Sequence, residues 1–166
     1  MTTRVSVLAN GLRIVSEDMP QFETASVGVW VDVGARYESA ENNGVSHLLE
    51  HMAFKGTNRR SALSIAEEIE AVGGHVNAYT SREQTAYYAK VMKGDVALAV
   101  DILADILQHS TFAEEELERE RAVVIQEIAQ AHDTPDDAVF DQFQETVYPN
   151  QPLGRSILGP AVQVAN

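Results

Sequence analysis

The sequence predicts an α+β domain in which a largely antiparallel sheet packs against helices. Three observations carry this. Extended runs rich in valine, threonine and aromatics occur at both 3–33 and 75–92. Each is followed by segments with the apolar spacing of a helix, so the order is strands, helices, strands, helices. Short polar turns at Asn10-Gly11 and around Ser81 to Gln84 join extended neighbours in the antiparallel sense.

The elements follow in order. VSVLANGLRIVSED places Asn10-Gly11 between two extended runs, and this dipeptide supplies the positive φ of a tight hairpin turn. TASVGVWVDVGARYE alternates on Val27, Val29, Val31 and Val33, which reads as a long strand of the same sheet with Trp30 in the core. From Ala40 the period changes. AENNGVSHLLEHMAFKG has Asn42 or Asn43 as helix caps and Gly56 as a stop, while Gly44 inside the first turn counts against the helix. SALSIAEEIEAVGG offers a capping box at Ser64 and Glu67, an apolar face including Ile65, Ile69 and Val72, and a Gly73-Gly74 end. HVNAYTSREQTAYYAKVM returns to strands. DVALAVDILADILQHS then puts Leu98, Ile102 and Ile106 on one helix face. Thr111 and Glu114 form a second capping box before AEEELERERAVVIQEIAQA, and Pro135 stands in the first turn of the helix PDDAVFDQFQETVY. The tail QPLGRSILGPAVQVAN reads as loop without a clear last element, which suggests the front portion of a longer protein.

Bulk composition narrows the function classes. At 166 residues with 45% hydrophobic content, one domain with a real core is the expected count. Lys+Arg 12 against Asp+Glu 25 gives a net charge of -13, which repels phosphate backbones and anionic lipid. The sequence therefore argues for no nucleic acid and no membrane as partners, and the acidic balance suits basic substrates. With no cysteine, any metal must be held by histidine and carboxylate. MTTRVSVLANGL lacks the layout of a secretory signal, and no apolar run is long enough to span a bilayer. A cytoplasmic location, in a bacterium, is the expectation.

The chemistry centres on HLLEH. Positions four apart share a helix face at about 6 Å, so His47 and His51 can point two imidazoles at one cation. Glu50 lies beside the pair, angled off it and within reach of the attacking water. Two imidazoles make a weak site, so a third ligand should come from another element. ELERERAVVIQEIAQ supplies carboxylates, and Glu120 and Glu127 lie two turns apart on one face beside Val123 and Val124. A carboxylate beside buried valines is costly unless paired or metal-bound. Glu127 is the first candidate for third ligand, with Glu116, Glu118 and Glu120 as competitors, and Glu120 as a partner for the far nitrogen of a ligand histidine. Three protein ligands and a water describe a catalytic zinc rather than a closed structural one. Glu50 would then be the general base. HVNAYT reads equally well as an internal strand or as a sheet edge able to pair with an extended peptide. His75 reads as a surface residue, His109 and His132 as helix-end or loop residues. Tyr79, Tyr87 and Tyr88 read first as sheet packing, then as lining for a substrate side chain.

HLLEHMAFKGT at 47–57, with ANGLRIV, GARYE, GGHVNAYTSREQTAYYAKV, ERAVVIQEI and PLGRSILG in order, resembles the insulinase or pitrilysin family of inverted-zincin peptidases. The likeness is greatest to mitochondrial processing peptidase β-like and bacterial processing-protease-like members. The glutamate 76 residues after the second histidine matches the family's metal set. The resemblance thus selects His47, His51 and Glu127 as zinc ligands, Glu50 as catalytic base and Glu120 as supporting glutamate. It places Asn77 and Ala78 where an extended peptide is held. It implies a LuxS/peptidase-like two-layer fold, with residues 1–166 as the N-terminal zinc-binding domain of a two-half protein, incomplete at the C-terminus. A missing C-terminal half or a second subunit would close the chamber around the peptide, and a dimer is one such arrangement. The isolated fragment would then be inactive without its other half. Two other classes compete. A non-catalytic scaffold subunit would have lost a ligand or the base, whereas all four residues are present. A zinc hydrolase of a non-peptide substrate would need no exposed strand.

Overall fold

The computed structural model describes residues 2–165. The first element is the expected hairpin, β1 (Thr3–Val7) and β2 (Arg13–Glu17), paired from Thr3↔Glu17 to Val7↔Arg13. Gly11 has φ 89, and the Asn10 side chain accepts a bond from the Leu12 amide. β3 (Thr24–Val31) does not join this hairpin. It lies in a separate antiparallel sheet of order β3-β5-β4, with β4 His75–Thr80 and β5 Thr85–Met92. Period-two alternation specifies a strand and its faces but not its partner. β5, with Thr85, Ala86, Tyr87, Ala89 and Val91 buried, is the strand built to be central.

Trp30 is not core: it is 60% exposed. It pairs opposite Ala86, on the face that alternation turns away from Val27 and Val29, and its ring lies across Gly28. The helices cover the other face. They are α1 (Val45–Ala53), α2 (Ala62–Glu70), α3 (Val96–His109), α4 (Glu114–Asp133), α5 (Pro135–Val147) and a short α6 (Ala161–Val164). Ile102 and Ile106 of α3, with Ile69 of α2 and Val91 of β5, form the main core. A smaller cluster of Val124, Ile128 and Val164, with Leu48 and Leu158 against it, joins α1, α4 and the tail. The tail is therefore anchored, ending in a helical turn that buries Val164, where the sequence pattern suggested loop alone.

Several helix starts differ from expectation. α2 is capped by Ser61, whose Oγ accepts from the Ser64 amide, so the cap lies one turn before the Ser64–Glu67 pair. α4 begins after Ala113 without a side-chain cap; the Thr111 hydroxyl instead donates to the Gly56 carbonyl, tying the α3–α4 turn to the end of α1. The N-cap of α1 is Gly44 with φ 102, so neither Asn42 nor Asn43 caps it, and the glycine that counted against the helix is what begins it. The carboxylate of Glu38, upstream in the chain, accepts the Gly44 and Ser46 amides.

Candidate metal centre

α1 packs between β4 and α4, and that position decides where its polar side chains point. Leu48 turns toward Val124 and Ile128, while Leu49 stays 48% exposed and gives no anchorage. His47 and His51 rise on the α4 side with ring centroids 4.7 Å apart. Glu127 meets both: its Oε2 lies 3.6 Å from His47 Nε2 and 3.5 Å from His51 Nε2. One donor atom from each of the three falls within 4.8 Å of the others.

Glu120, two turns earlier on α4, is buried and serves a different purpose. Its Oε2 lies 3.0 Å from His51 Nδ1, and its Oε1 accepts a charged bond from Lys55 Nζ at 2.6 Å. Burial acts to raise the Glu120 carboxyl, but hydrogen bonds from Lys55 and His51 outweigh it and hold the group below its usual range. An ionised Glu120 facing Nδ1 is suited to accept a bond from that nitrogen and so to turn His51 Nε2 toward Glu127. His47 is kept neutral by burial, helped by His51 and opposed by Glu38, with its pKa pushed down to about 4. Its Nδ1 is buried with no hydrogen-bond partner among the described residues. Two imidazole nitrogens and a carboxylate oxygen converging on one point fit a metal of zinc's ligand preference and would leave a fourth position for a non-protein ligand.

Glu50 lies on the β4 side of α1. Thr80 Oγ1, the last residue of β4, donates to Glu50 Oε2 at 2.5 Å. Tyr87, on β5, is buried against Phe54; burial and the charge of Glu50 push its phenol up to about 12, so it remains protonated. β4 pairs only with β5 among the described residues, so its other side is a sheet edge. Asn77 is exposed there, and its Oδ1 accepts from the Ala78 amide at 2.8 Å. The structure thus gathers His47, His51 and Glu127, sets Glu120 against His51, holds Glu50 against Thr80 on the β4 side of the same helix, and places Asn77 and Ala78 on the neighbouring edge strand. His75 is exposed on β4, and His132 lines a separate groove between α4, α5 and the tail. His109, which had no evident partner in the sequence, sits 3.3 Å from buried Asp105.

Sequence reasoning missed Thr80, Lys55 and Glu38. Lys55 lies four residues after His51, a helical spacing that could have flagged it. Thr80 and Glu38 act across folds of the chain that no local pattern encodes.

Residues 13–161 match the family model described as insulinase, peptidase family M16. The chain belongs to the insulinase family of peptidases. The mitochondrial-processing peptidase subunit beta described as probable in Arabidopsis thaliana is 53% identical over 98% of this chain. An uncharacterized zinc protease of Rickettsia felis is 50% identical over 93%. A protease from Helicobacter pylori superposes over 99% of the chain with TM-score 0.93 at 28% identity. The chain spans 30%, 38% and 40% of those three proteins respectively, so it corresponds to well under half of each. These relatives, together with the His47, His51 and Glu127 cluster, support a metal cofactor. No helix among the described residues is long and apolar enough to cross a membrane.

Proposed function

We propose that this chain is the zinc-binding N-terminal domain of a metalloendopeptidase, with His47, His51 and Glu127 as ligands and Glu50 as general base. The observation that carries the reading is the convergence of those three donors with Glu50 presented beside an open sheet edge. Zinc, when bound, supplies a Lewis acid that polarises the scissile carbonyl and acidifies water. Glu50 takes the proton of the attacking water and hands it to the leaving amine. Thr80 holds the carboxylate of Glu50 in one rotamer through its hydroxyl. Glu120 orients His51, and Lys55 orients Glu120. An extended peptide adds to the β4 edge near Asn77 and Ala78, bound through its backbone with little sequence demand. The open edge favours a peptide over a non-peptide substrate.

The whole protein would be a two-half peptidase of soluble type, cytoplasmic and bacterial, in which a C-terminal half or a second subunit completes the chamber. The mitochondrial relatives are named as subunits, which is consistent with closure by a partner. The net charge of -13 suits basic peptides or presequences.

Zinc stoichiometry and cleavage of a quenched basic peptide test this, on the 166-residue chain, its Glu50→Gln variant and a longer chain carrying the second half. One zinc per chain is expected in every form. Cleavage is expected only from the longer chain, and Glu50→Gln there should lose about 100- to 10,000-fold. Absence of zinc at near one per chain would sink the metallopeptidase reading in favour of a scaffold subunit.

A further inference from the structure

The two ligand histidines of α1 are held by different means. His51 has its Nδ1 fixed by Glu120, whereas the Nδ1 of His47 is buried without a hydrogen-bond partner. Among the described residues no hydrogen bond at Nδ1 orients the His47 ring, so its direction depends on how firmly its backbone is placed. That backbone lies in the first turn of α1, where amides have no intrahelical acceptor. Gly44 is the N-cap and brings no side chain to satisfy them.

Glu38 does so from outside the helix. It is only 7% exposed, and both its oxygens are engaged. Oε1 accepts from the Ser46 amide at 2.7 Å, and Oε2 accepts from the Gly44 amide at 2.8 Å and from Asn43 Nδ2 at 2.9 Å. Ser46 is the residue directly before His47. The negative charge also sits at the positive end of the helix dipole. Glu38 is itself secured: its amide donates to the Ala35 carbonyl, and its carbonyl accepts from Arg155. The tail closes the other side. Asn43 Nδ2 also donates to the Ser156 carbonyl, and a Cβ on Gly44 would come within 2.7 Å of the Leu158 carbonyl oxygen. The start of α1 is thus clamped between Glu38 and the tail.

We infer that Glu38 is a positioning residue for the metal centre: its carboxylate fixes the first turn of α1 and thereby aims His47 Nε2 at the point shared with His51 and Glu127. The inference rests on the reading of His47 as a ligand given under the proposed function. A glutamine at 38 keeps the volume but turns an NH2 toward one of the three donors, so the turn loses an anchor.

The test is zinc affinity of the 166-residue chain by competition with a chromophoric chelator, alongside its melting temperature without metal. Glu38→Gln should bind zinc about 10- to 100-fold more weakly. Ile69→Val, a core change remote from the turn, should lower the melting temperature while keeping wild-type affinity. Wild-type affinity in Glu38→Gln would overturn the inference, as would an equal loss in an Ile69→Val protein of matched melting temperature. Amide hydrogen exchange of the unsubstituted chain decides the matter if Glu38→Gln does not fold. Gly44 and Ser46 amides should be protected as strongly as those at the centre of α1, and exchange at unprotected rates overturns the inference. Failure of the unsubstituted chain to bind zinc counts instead against the metallopeptidase reading, and the exchange measurement still reports on the clamp.

Discussion

α1 has one flank on the sheet side and one on α4, and the two flanks are built on opposite principles. On the sheet side, Ala53 and Phe54 pack into a core where Ile69, Ile102, Leu103 and Ile106 are each 2% exposed or less. On the α4 side, a small apolar cluster lies beside four ionisable groups, and the Glu127 side chain is 39% exposed. The first flank gains from excluding water; the second gathers charge-bearing ligands that only a bound cation would fully satisfy. Stability and metal ligation therefore meet in one nine-residue helix while drawing on separate partners, with Glu50 held against Thr80 on the sheet side.

The strongest way to break that separation is to damage each flank alone. His51→Ala should reduce zinc affinity by orders of magnitude with little change in the unfolding midpoint of the metal-free chain. Ile102→Ala should cost about 2–5 kcal/mol in chemical denaturation while the folded fraction still binds one zinc. Loss of zinc by folded Ile102→Ala would show that the flanks are not independent.

Acid should separate them next. His47 titrates near 4 in the folded chain against 6.5 as its ordinary value. The unfolded chain binds the extra proton first, so metal-free stability is complete above pH 6.5 and falls as pH drops through about 4, by roughly 3 kcal/mol. On the other flank, burial acts to raise Asp105, but bonds from Arg60, Thr57 and Arg59 prevail and hold it at about 2, against an ordinary value of 3.8. Its contribution is present above 3.8 and lost as pH falls through about 2. Urea midpoints of the chelator-treated chain should therefore fall in two windows. His47→Gln should flatten only the upper one and Asp105→Asn only the lower. A single window abolished by either change would contradict the assignment.

The smallest effect sharpens the comparison within the metal flank. Lys55→Met should leave Glu120 less firmly placed and weaken zinc binding about tenfold, with Lys55→Arg recovering most of it. Equal affinity in Lys55→Met and the parent chain would confine the ion pair to a structural role.

What could be read from the sequence follows the range of the interactions involved. The i to i+4 placement of His47 and His51, the Asn10-Gly11 turn, the Gly73-Gly74 stop and Pro135 at the start of α5 are local, and residue chemistry alone specifies them. Periodicity could put Glu127 on a face but could not choose it over Glu116, Glu118 or Glu120; only the family resemblance did. Glu120 and Glu127 share that face, yet one is buried with Lys55 and the other half-exposed between two imidazoles. Capping rules look one residue back and so favour the asparagines at the start of α1, whereas Glu38 reaches in from six and eight residues away. Ser61 and Ser64 are both plausible caps by composition, and backbone geometry selects the first. The hydrophobicity of Trp30 argues for the core, although the alternation that leaves Val27 and Val29 half-buried turns it outward.

The β1–β2 hairpin has a consequence for handling the molecule. Val5, Val7 and Val15 are each about two-thirds exposed, and neither strand has a second partner among the described residues. Such a ribbon is a template for edge-to-edge association, and what keeps molecules apart is their mutual repulsion at net charge -13. Salt shortens the reach of that repulsion to roughly 3 Å at 1 M. Colloidal behaviour should therefore invert the usual laboratory habit: dilute buffer keeps the chain dispersed, and concentrated salt drives it to cluster through the β1–β2 hairpin, Thr3 to Glu17.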